Sequence, residues 1–229
     1  TLNTLVKESE LPEVAETLAM LEEMGPDALL VQDLGIIRMA REYFPKLVLH
    51  ASTQMGFHNS AGLEVAEKLG VTRVVLERQM TLEEIAAVRK STKLELEVFV
   101  HGALCASLSG ACLFSSYLGG YSGNRGKCKQ PCRRRYFGKG GNGFFFSPQD
   151  LCTIELLPQL RELGIEIRPL HMGKPCPAVY EHVLARFPAG TRRGRVAGVG
   201  DFLGSDIEGA NRPGLQSAVV LTGLTDRKT

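Results

Sequence analysis

Hydrophobic and polar positions in the first hundred residues alternate between a helical period and short apolar runs. In the stretch from Glu10 to Met24, Val14, Leu18 and Leu21 recur at helical spacing, and the pattern stops at Gly25-Pro26. The same reasoning predicts further helices at Leu34–Tyr43, Ser60–Leu69 and Leu82–Arg89, and strands at Ala28–Gln32, Leu47–Ser52, Arg73–Glu77 and Leu94–Val100.

This order of elements predicts an α/β fold. The strands start roughly 20 to 26 residues apart and each is followed by a helix, which is typical of βαβ units in a parallel sheet. We expect a partial (β/α) barrel-like sheet, with an open doubly wound sheet as the alternative. The stretches "GKPCPAVYEHVLARF", "GRVAGVG" and "QSAVVLTGLT" predict a helix and two strands in a smaller, Rossmann-like α/β segment. The expected domains are residues 1–165 and 171–229.

Polar side chains follow the predicted strands, where a barrel of this kind carries its active site. They are Gln32, Asp33, His50, Ser52, Gln54, Arg78 and His101, the last leading into Cys105. Because polar residues are common at any strand end, this pattern alone is a weak indication. His50, Arg78 and His101 are the candidate acid/base or orienting groups.

Composition narrows the class of protein only slightly. The 229 residues are 44% hydrophobic and 23% charged, with a net charge of +2. We expect a cytoplasmic protein without a membrane span, because no apolar run reaches about 18 residues and no secretory leader precedes the first helix. The sequence opens on Thr1, so we expect an upstream segment to be missing.

Charge is distributed unevenly. No Asp or Glu occurs between His101 and Gln149, whereas the stretch from Arg125 to Lys139 holds seven Lys or Arg residues. Such a block can attract an anionic substrate such as RNA, or it can be a solvated loop. Phe144, Phe145 and Phe146 follow it, and we predict a buried strand there rather than a platform for stacking bases.

Four of the six cysteines lie between Cys105 and Cys132. Without a secretory signal, this clustering indicates metal or redox chemistry before disulfides. Only Cys128 and Cys132 have the short spacing of a structural zinc site, so the irregular spacing fits an iron–sulfur cluster better. Buried free thiols and a catalytic thiol with His50 or His101 as its base are the alternatives.

Two linked motifs resemble a known family. "EVFVHGALCASLSGACLFS" and "NRGKCKQPCRRRY" are similar to the signature of the collagenase-like peptidases, and "HASTQMGFHN", "GVTRVVLERQMTLEEI" and "SPQDLC" resemble its flanking blocks in the same order. The resemblance covers about residues 1–165. It implies a barrel-like domain in which four cysteines hold a four-iron four-sulfur cluster.

The resemblance also implies particular residues and two competing activities. The ligands would be Cys105, Cys112, Cys128 and Cys152, with Cys132 in reserve. Apart from the resemblance, we expect Asn124 and Arg125 to shape a substrate loop, and the basic block Arg125–Lys139, which includes Arg133, to contact RNA phosphate. Some members of the family are described as proteases. Others hydroxylate an RNA base or a ubiquinone precursor without molecular oxygen. The chain departs from the family in carrying Gln79 after Arg78, where the family usually has a glutamate, and in lacking the first barrel strands.

The tail resembles the C-terminal half of haloacid-dehalogenase-type phosphatases. That resemblance implies a phosphate-binding role for Lys174 and a magnesium site at Asp201 and Asp206, whose carboxylates are hard oxygen ligands. The phosphatase reaction needs an aspartate nucleophile in a D-x-D motif, and the sequence contains none. We therefore expect a structural remnant, a fusion product or a partial magnesium site rather than an active phosphatase.

The sequence favours an iron–sulfur enzyme that hydroxylates an RNA base, with RNA as its partner. A peptidase acting on collagen-like or unfolded peptides is the first alternative, although no Ser/His/Asp or H-E-x-x-H motif supports it. A non-catalytic product of two incomplete enzymes is the second. The sequence does not predict an oligomeric state.

Overall fold

A computed structural model describes residues 1–138, 140–165, 177–200, 207–211 and 213–219 of the chain. Two compact units divide the chain between them, Thr1–Glu166 and Ile167–Thr229, and each is described by itself.

Four parallel strands organise the first unit. Strands β1 (Leu29–Val31), β2 (Leu49–Ala51), β3 (Arg73–Val75) and β4 (Glu95–Glu97) pair in chain order. Helices α1 (Leu11–Met24), α2 (Leu34–Tyr43), α3 (Ser60–Lys68) and α4 (Leu82–Ser91) alternate with them. The predicted α/β class and its parallel sheet are therefore confirmed, with strands two to four residues shorter than the sequence pattern suggested.

Local polar contacts set the ends of these helices. The Asp33 carboxylate accepts hydrogen bonds from the backbone N–H groups of Gly35 and Ile36, which caps α2. Thr81 and Glu84 form a reciprocal capping box at the start of α4. Helix α1 ends at Gly25, whose φ of 61° is a left-handed conformation that a residue without Cβ adopts at little cost.

The hydrophobic core of this unit lies on the sheet. Its fully buried large side chains come from both helices and strands, and include Leu18, Ile36, Ile37, Leu49, Leu63, Val74 and Leu76. At the β3–β4 edge, Arg73 pairs with Glu95 at 2.5 Å and with Glu97 at 3.5 Å. The core thus fixes the sheet and leaves the loops beyond the carboxyl ends of the strands to form a site.

After β4 the chain contains short elements separated by loops. They are β5 (His101–Gly102), α5 (Phe114–Gly119), β6 (Tyr136–Gly138), β7 (Gly141–Gly143), β8 (Leu151–Cys152) and α6 (Leu157–Glu162). Strands β5 and β8 pair antiparallel, as do β6 and β7. Single 3₁₀ turns occur at Glu8–Glu10, Thr53–Met55, Gly123–Arg125, Pro131–Arg133, Ile154–Leu156 and, in the second unit, Arg193–Arg195.

The buried strand predicted at Phe144–Phe146 is wrong. These residues form a loop directly after β7, and all three rings are more than half exposed. A run of three apolar residues predicts burial only if other apolar groups cover it. Here the ring of Phe146 contacts Phe114 and Tyr136, whereas Phe144 and Phe145 face outward.

The described part of the second unit contains a parallel strand pair and two helices. Strands β9 (Ala197–Gly200) and β10 (Gln216–Val219) pair in parallel, and α7 (Pro177–Leu184) and α8 (Glu208–Asn211) belong to the same unit. Arg193 forms a two-pronged ion pair with Glu181 of α7. Within the described ranges of both units, no helix is long and apolar enough to cross a membrane.

Replacing Leu49 by alanine should lower the free energy of unfolding by about 2–5 kcal/mol, because it leaves a cavity in the centre of the parallel sheet. Val48 is the adjacent control, since its side chain is exposed and Val48→Ala should change stability by less than about 1 kcal/mol. Urea unfolding of both variants measures the difference, and equal losses would show that β2 is not a core strand.

Candidate functional site

A cavity of about 390 Å³ opens at the carboxyl ends of the four parallel strands. One side of its lining consists of residues at or after each strand, namely Leu30, Ser52, Gln54, Val75, Arg78 and Phe99. The other side comes from residues 105–132, here called the cysteine-rich segment, and includes Cys105, Ser109, Gly110, Cys112, Ser115 and Cys128. This volume is in the range that holds a small ligand or cofactor. The cavity is therefore the candidate site.

A buried carboxylate attaches the cysteine-rich segment to the sheet. Glu77, only 3% exposed just after β3, accepts hydrogen bonds from the backbone N–H and the hydroxyl of Ser109, at 3.0 and 3.2 Å. Ser109 lies between Cys105 and Cys112 and lines the cavity. Sequence reasoning missed both residues, although a glutamate ending the apolar stretch "RVVLE" is the available signal.

Close backbone approach makes Gly110 necessary at this place. Its φ is +76°, and a Cβ there would lie 2.5 Å from the backbone oxygen of Gln54 and 3.0 Å from the Gln32 amide nitrogen. Gly110 also accepts a hydrogen bond from the side chain of Asn124. The loop between Cys105 and Cys112 can thus touch the end of β2 only because residue 110 has no side chain.

The five described cysteines are free thiols in two groups. Cys105, Cys112 and Cys128 line the cavity, whereas Cys132 and Cys152 do not. Cys152 is exposed in β8, opposite His101, and Cys132 is half-buried in the turn Pro131–Arg133. In the part of the chain that the structure describes, no three His, Cys, Asp or Glu side chains converge closely enough to hold one metal ion.

The donor set nevertheless suits an iron–sulfur cluster. A four-iron cluster takes one thiolate per iron, so its ligands need not converge on a single point. Three thiols from two loops already line one cavity, and the backbone N–H of Gln130 donates to the Cys128 sulfur at 3.4 Å. Gln130 itself has a φ of +48°, an uncommon conformation for a residue with a Cβ.

Of the three candidate acid/base residues, only Arg78 reaches the cavity. Its guanidinium donates to the Ala103 carbonyl at 2.9 Å, lies 3.9 Å from the Cys105 sulfur and packs 4.1 Å from the centre of the Phe99 ring. His50 is half-buried in the middle of β2, and His101 is exposed in β5. Neither histidine lines the cavity.

The predicted substrate-loop residues lie between parts of the chain that are distant in sequence. The Asn124 carbonyl accepts from the Leu5 N–H, and Arg125 donates to the Leu5 carbonyl at 2.8 Å and pairs with Glu10 at 2.5 Å. Hydrogen bonding to Arg125 lowers the pKa of Glu10 to about 2. Arg125 therefore attaches the first ten residues to the cysteine-rich segment.

Arg133 has a similar attaching role. Its guanidinium donates to the Leu104 carbonyl at 3.0 Å and the Pro148 carbonyl at 2.8 Å, and it pairs with Asp150 at 2.8 Å. It also donates to the Ser147 hydroxyl at 3.3 Å. With its donors directed at these partners, Arg133 stabilises the loops on both sides of the β6–β7 hairpin.

Several predicted residues lie outside the described ranges. They are Lys139 of the basic block and, in the tail, Lys174, Cys176, Asp201 and Asp206. The predicted magnesium site therefore stays a prediction.

Comparison with known proteins decides the family. The profile of peptidase family U32 matches residues 1–168, almost three quarters of the chain. The chain belongs to peptidase family U32. The profile of the HAD-hydrolase-like family matches residues 171–229, in agreement with the predicted resemblance of the tail. Both resemblances inferred from the motifs are therefore confirmed.

Three curated relatives show which activities have been assigned within the U32 family. An uncharacterized protease of Methanocaldococcus jannaschii is 40% identical over 70% of this chain and 43% of its own length. The tRNA hydroxylation protein P of Escherichia coli is 40% identical over 59% of this chain and 30% of its own. The 23S rRNA 5-hydroxycytidine C2501 synthase of the same organism is 38% identical over 62% and 21%. The matched region thus spans less than half of each relative.

Replacing Gly110 by alanine should destabilise the first unit, here called the U32 unit, more than replacing Gly25 by alanine does. Both glycines have a positive φ, which should cost each alanine variant about 1–2 kcal/mol. Only Gly110→Ala also forces a side chain against the Gln54 backbone, adding about 1–3 kcal/mol. Denaturant unfolding of the two variants compares the losses, and equal losses would contradict the close approach.

Stability should depend on Glu10 at acid pH. Since its pKa falls from 4.5 to about 2 on folding, its contribution is fully present above about pH 4.5 and is lost as pH falls toward 2. Glu10→Gln should therefore lower the urea midpoint at neutral pH, and the difference from wild type should vanish near pH 2. Glu8→Gln is the control, since that exposed carboxylate forms no ion pair within the described residues. A pH-independent difference would contradict the assignment.

Proposed function

We propose that this chain is the iron–sulfur portion of a U32-family enzyme that hydroxylates a base in RNA without molecular oxygen. The observation that carries the proposal is the cavity in which three thiols of the linked cysteine motifs meet the ends of the parallel strands. Two relatives of about 40% identity bear names of RNA hydroxylation enzymes, which supports the choice of substrate.

With water as the oxygen source, replacing a base C–H by C–OH releases two protons and two electrons, so the reaction needs a redox group that passes these electrons to an external acceptor. An iron–sulfur cluster, when bound, supplies one-electron transfer whose potential depends on charge and hydrogen bonding around its sulfurs. Cys105, Cys112 and Cys128 would hold it, with Cys152 or Cys132 as the fourth ligand. The permanent positive charge of Arg78 beside Cys105 would offset the negative charge of this ligand set.

The chain's own residues would also orient a base. Ser52, Gln54 and Ser109 line the cavity, and their polar side chains would hydrogen-bond the edge of a base held there. Glu77, through Ser109, would keep this wall of the cavity in place.

The experiment measures iron, acid-labile sulfide and the absorption spectrum after anaerobic purification. Wild type should contain about four irons and four sulfides per chain. Serine at position 105, 112 or 128 should abolish binding, while only one of Cys132→Ser and Cys152→Ser should. Wild type without iron or sulfide, or a serine variant at position 105, 112 or 128 that keeps full iron, would refute the cluster.

Product analysis tests the reaction itself. The cluster-containing protein is incubated anaerobically with cellular RNA and an electron acceptor, and nucleosides are then analysed by mass spectrometry. A nucleoside with one added oxygen is expected from wild type and not from Cys105→Ser. Its absence would refute RNA hydroxylation.

Peptide hydrolysis is the second candidate, since the M. jannaschii relative is named a protease. It predicts that purified protein cleaves gelatin and that cleavage survives removal of iron. Cleavage that is unaffected by Cys105→Ser would favour this alternative over hydroxylation.

A further inference from the structure

A group of exposed cations beside the candidate site has no acidic partner among the residues that the structure describes. Lys127, Lys129, Arg134 and Arg135 are all exposed, and none of them forms an ion pair with a carboxylate in the described ranges. Arg125 and Arg133 of the same block are paired with Glu10 and Asp150. The positive charge of the first four residues is therefore available to an external polyanion.

Exposed aromatic rings accompany these cations. Phe137 of β6 is 76% exposed, and Phe144 and Phe145 after β7 are 60% and 64% exposed. Contact of such large apolar rings with water is unfavourable, so a ligand that covers them would gain binding free energy. The guanidinium of Arg135 lies 5.8 Å from the centre of the Phe137 ring, so cation and ring share one face of the hairpin.

Other aromatic residues hold the hairpin in place. Phe114 of α5 stacks against Tyr136 with 6.4 Å between ring centres, and Phe146 meets both rings edge-on at 5.3 and 5.1 Å. Arg135 also bonds to Asn142 across the hairpin at 2.5 Å. Phe137 is thus carried by a hairpin that these contacts brace, while Phe144 and Phe145 lie in the short loop between β7 and the packed ring of Phe146.

The same segment continues into the cavity. Ser115 follows Phe114 directly, lines the cavity and accepts a hydrogen bond from the Lys129 backbone N–H at 3.0 Å. Cys128, one residue before Lys129, also lines the cavity. A ligand bound on the hairpin would therefore lie on segments that continue directly into the wall of the cavity.

We propose that the exposed side chains on and directly after the β6–β7 hairpin, here called the hairpin platform, bind single-stranded RNA; they are Phe137 with Arg134 and Arg135, followed by Phe144 and Phe145. Rings that stack on unpaired bases, next to cations that contact phosphates, are the combination by which proteins bind single strands. Bases inside a duplex are already stacked and cannot reach the rings. The proposal rests on RNA being the substrate and names the form in which RNA approaches the site.

Binding of labelled oligonucleotides tests the platform separately from catalysis. Fluorescence anisotropy with a mixed-sequence single-stranded RNA should show that alanine at Phe137, Phe144 or Phe145 raises the Kd about tenfold. The same changes should leave the Kd for polyphosphate, which has no bases, unchanged. Arg135→Gln should weaken binding of both probes, because phosphate contacts do not depend on bases.

Tyr43→Ala is the matched control, since Tyr43 is 64% exposed, as Phe145 is, but lies at the end of α2. It should leave RNA affinity unchanged. Thermal midpoints of the alanine variants should equal that of wild type, because the rings removed are mostly exposed.

Three outcomes would overturn the platform. They are RNA affinity that survives loss of all three rings, ring variants that weaken RNA and polyphosphate equally, and wild type that binds duplex as tightly as single strand. A fourth is a wild-type oligomer that dissociates in the ring variants, because the surface would then bind a second copy of the chain.

Two further results separate the platform from the proposed reaction. If the ring variants lose RNA binding but wild type never hydroxylates RNA, the platform stands and the reaction is refuted. If the ring variants keep both RNA hydroxylation and RNA affinity, the reaction stands and the platform is refuted.

Discussion

The candidate site depends on the two hydrogen bonds that Ser109 donates to the buried carboxylate of Glu77. A carboxylate is costly to bury, and the cost is tolerable only if donors surround it. Ser109 supplies two, and the Arg78 N–H adds a third at 3.2 Å. The loop that carries Cys105 and Cys112 is thereby fixed to the end of β3, and the cavity exists because this loop is held over the strand ends.

Positive charge in the U32 unit serves two separate purposes. Arg78, Arg125 and Arg133 direct most of their donors at backbone carbonyls or paired carboxylates, so they act as internal cross-links between loops that bury few hydrophobic side chains. Lys127 and Arg134 project from the same loops and have no such partners among the described residues. The stretch between His101 and Gln149 contains no acidic residue, so each carboxylate that pairs with it comes from elsewhere in the chain. Some of its cations therefore cross-link distant parts of the fold, while others remain exposed.

The sheet could be predicted because the apolar period of each helix and strand is local. Leu18 and Leu49 are buried as their patterns indicate. Most of the site could not be predicted in this way. The pairing of Arg125 with Glu10 joins residues 115 positions apart, and no local pattern indicates it. The exposure of Phe144–Phe146 could not be predicted for a related reason, since a hydrophobic pattern indicates which residues could be buried but not whether other residues cover them.

The bond between Arg125 and Glu10 also bears on the order in which the protein folds. Closing a loop of 115 residues costs conformational entropy that a single ion pair does not repay. The parallel strands and their helices lie between the two residues in sequence, and their formation brings the ends together and shortens the effective loop. The first ten residues should therefore dock late, onto a sheet that is already formed, and the cysteine-rich segment gains its final contacts at the same step.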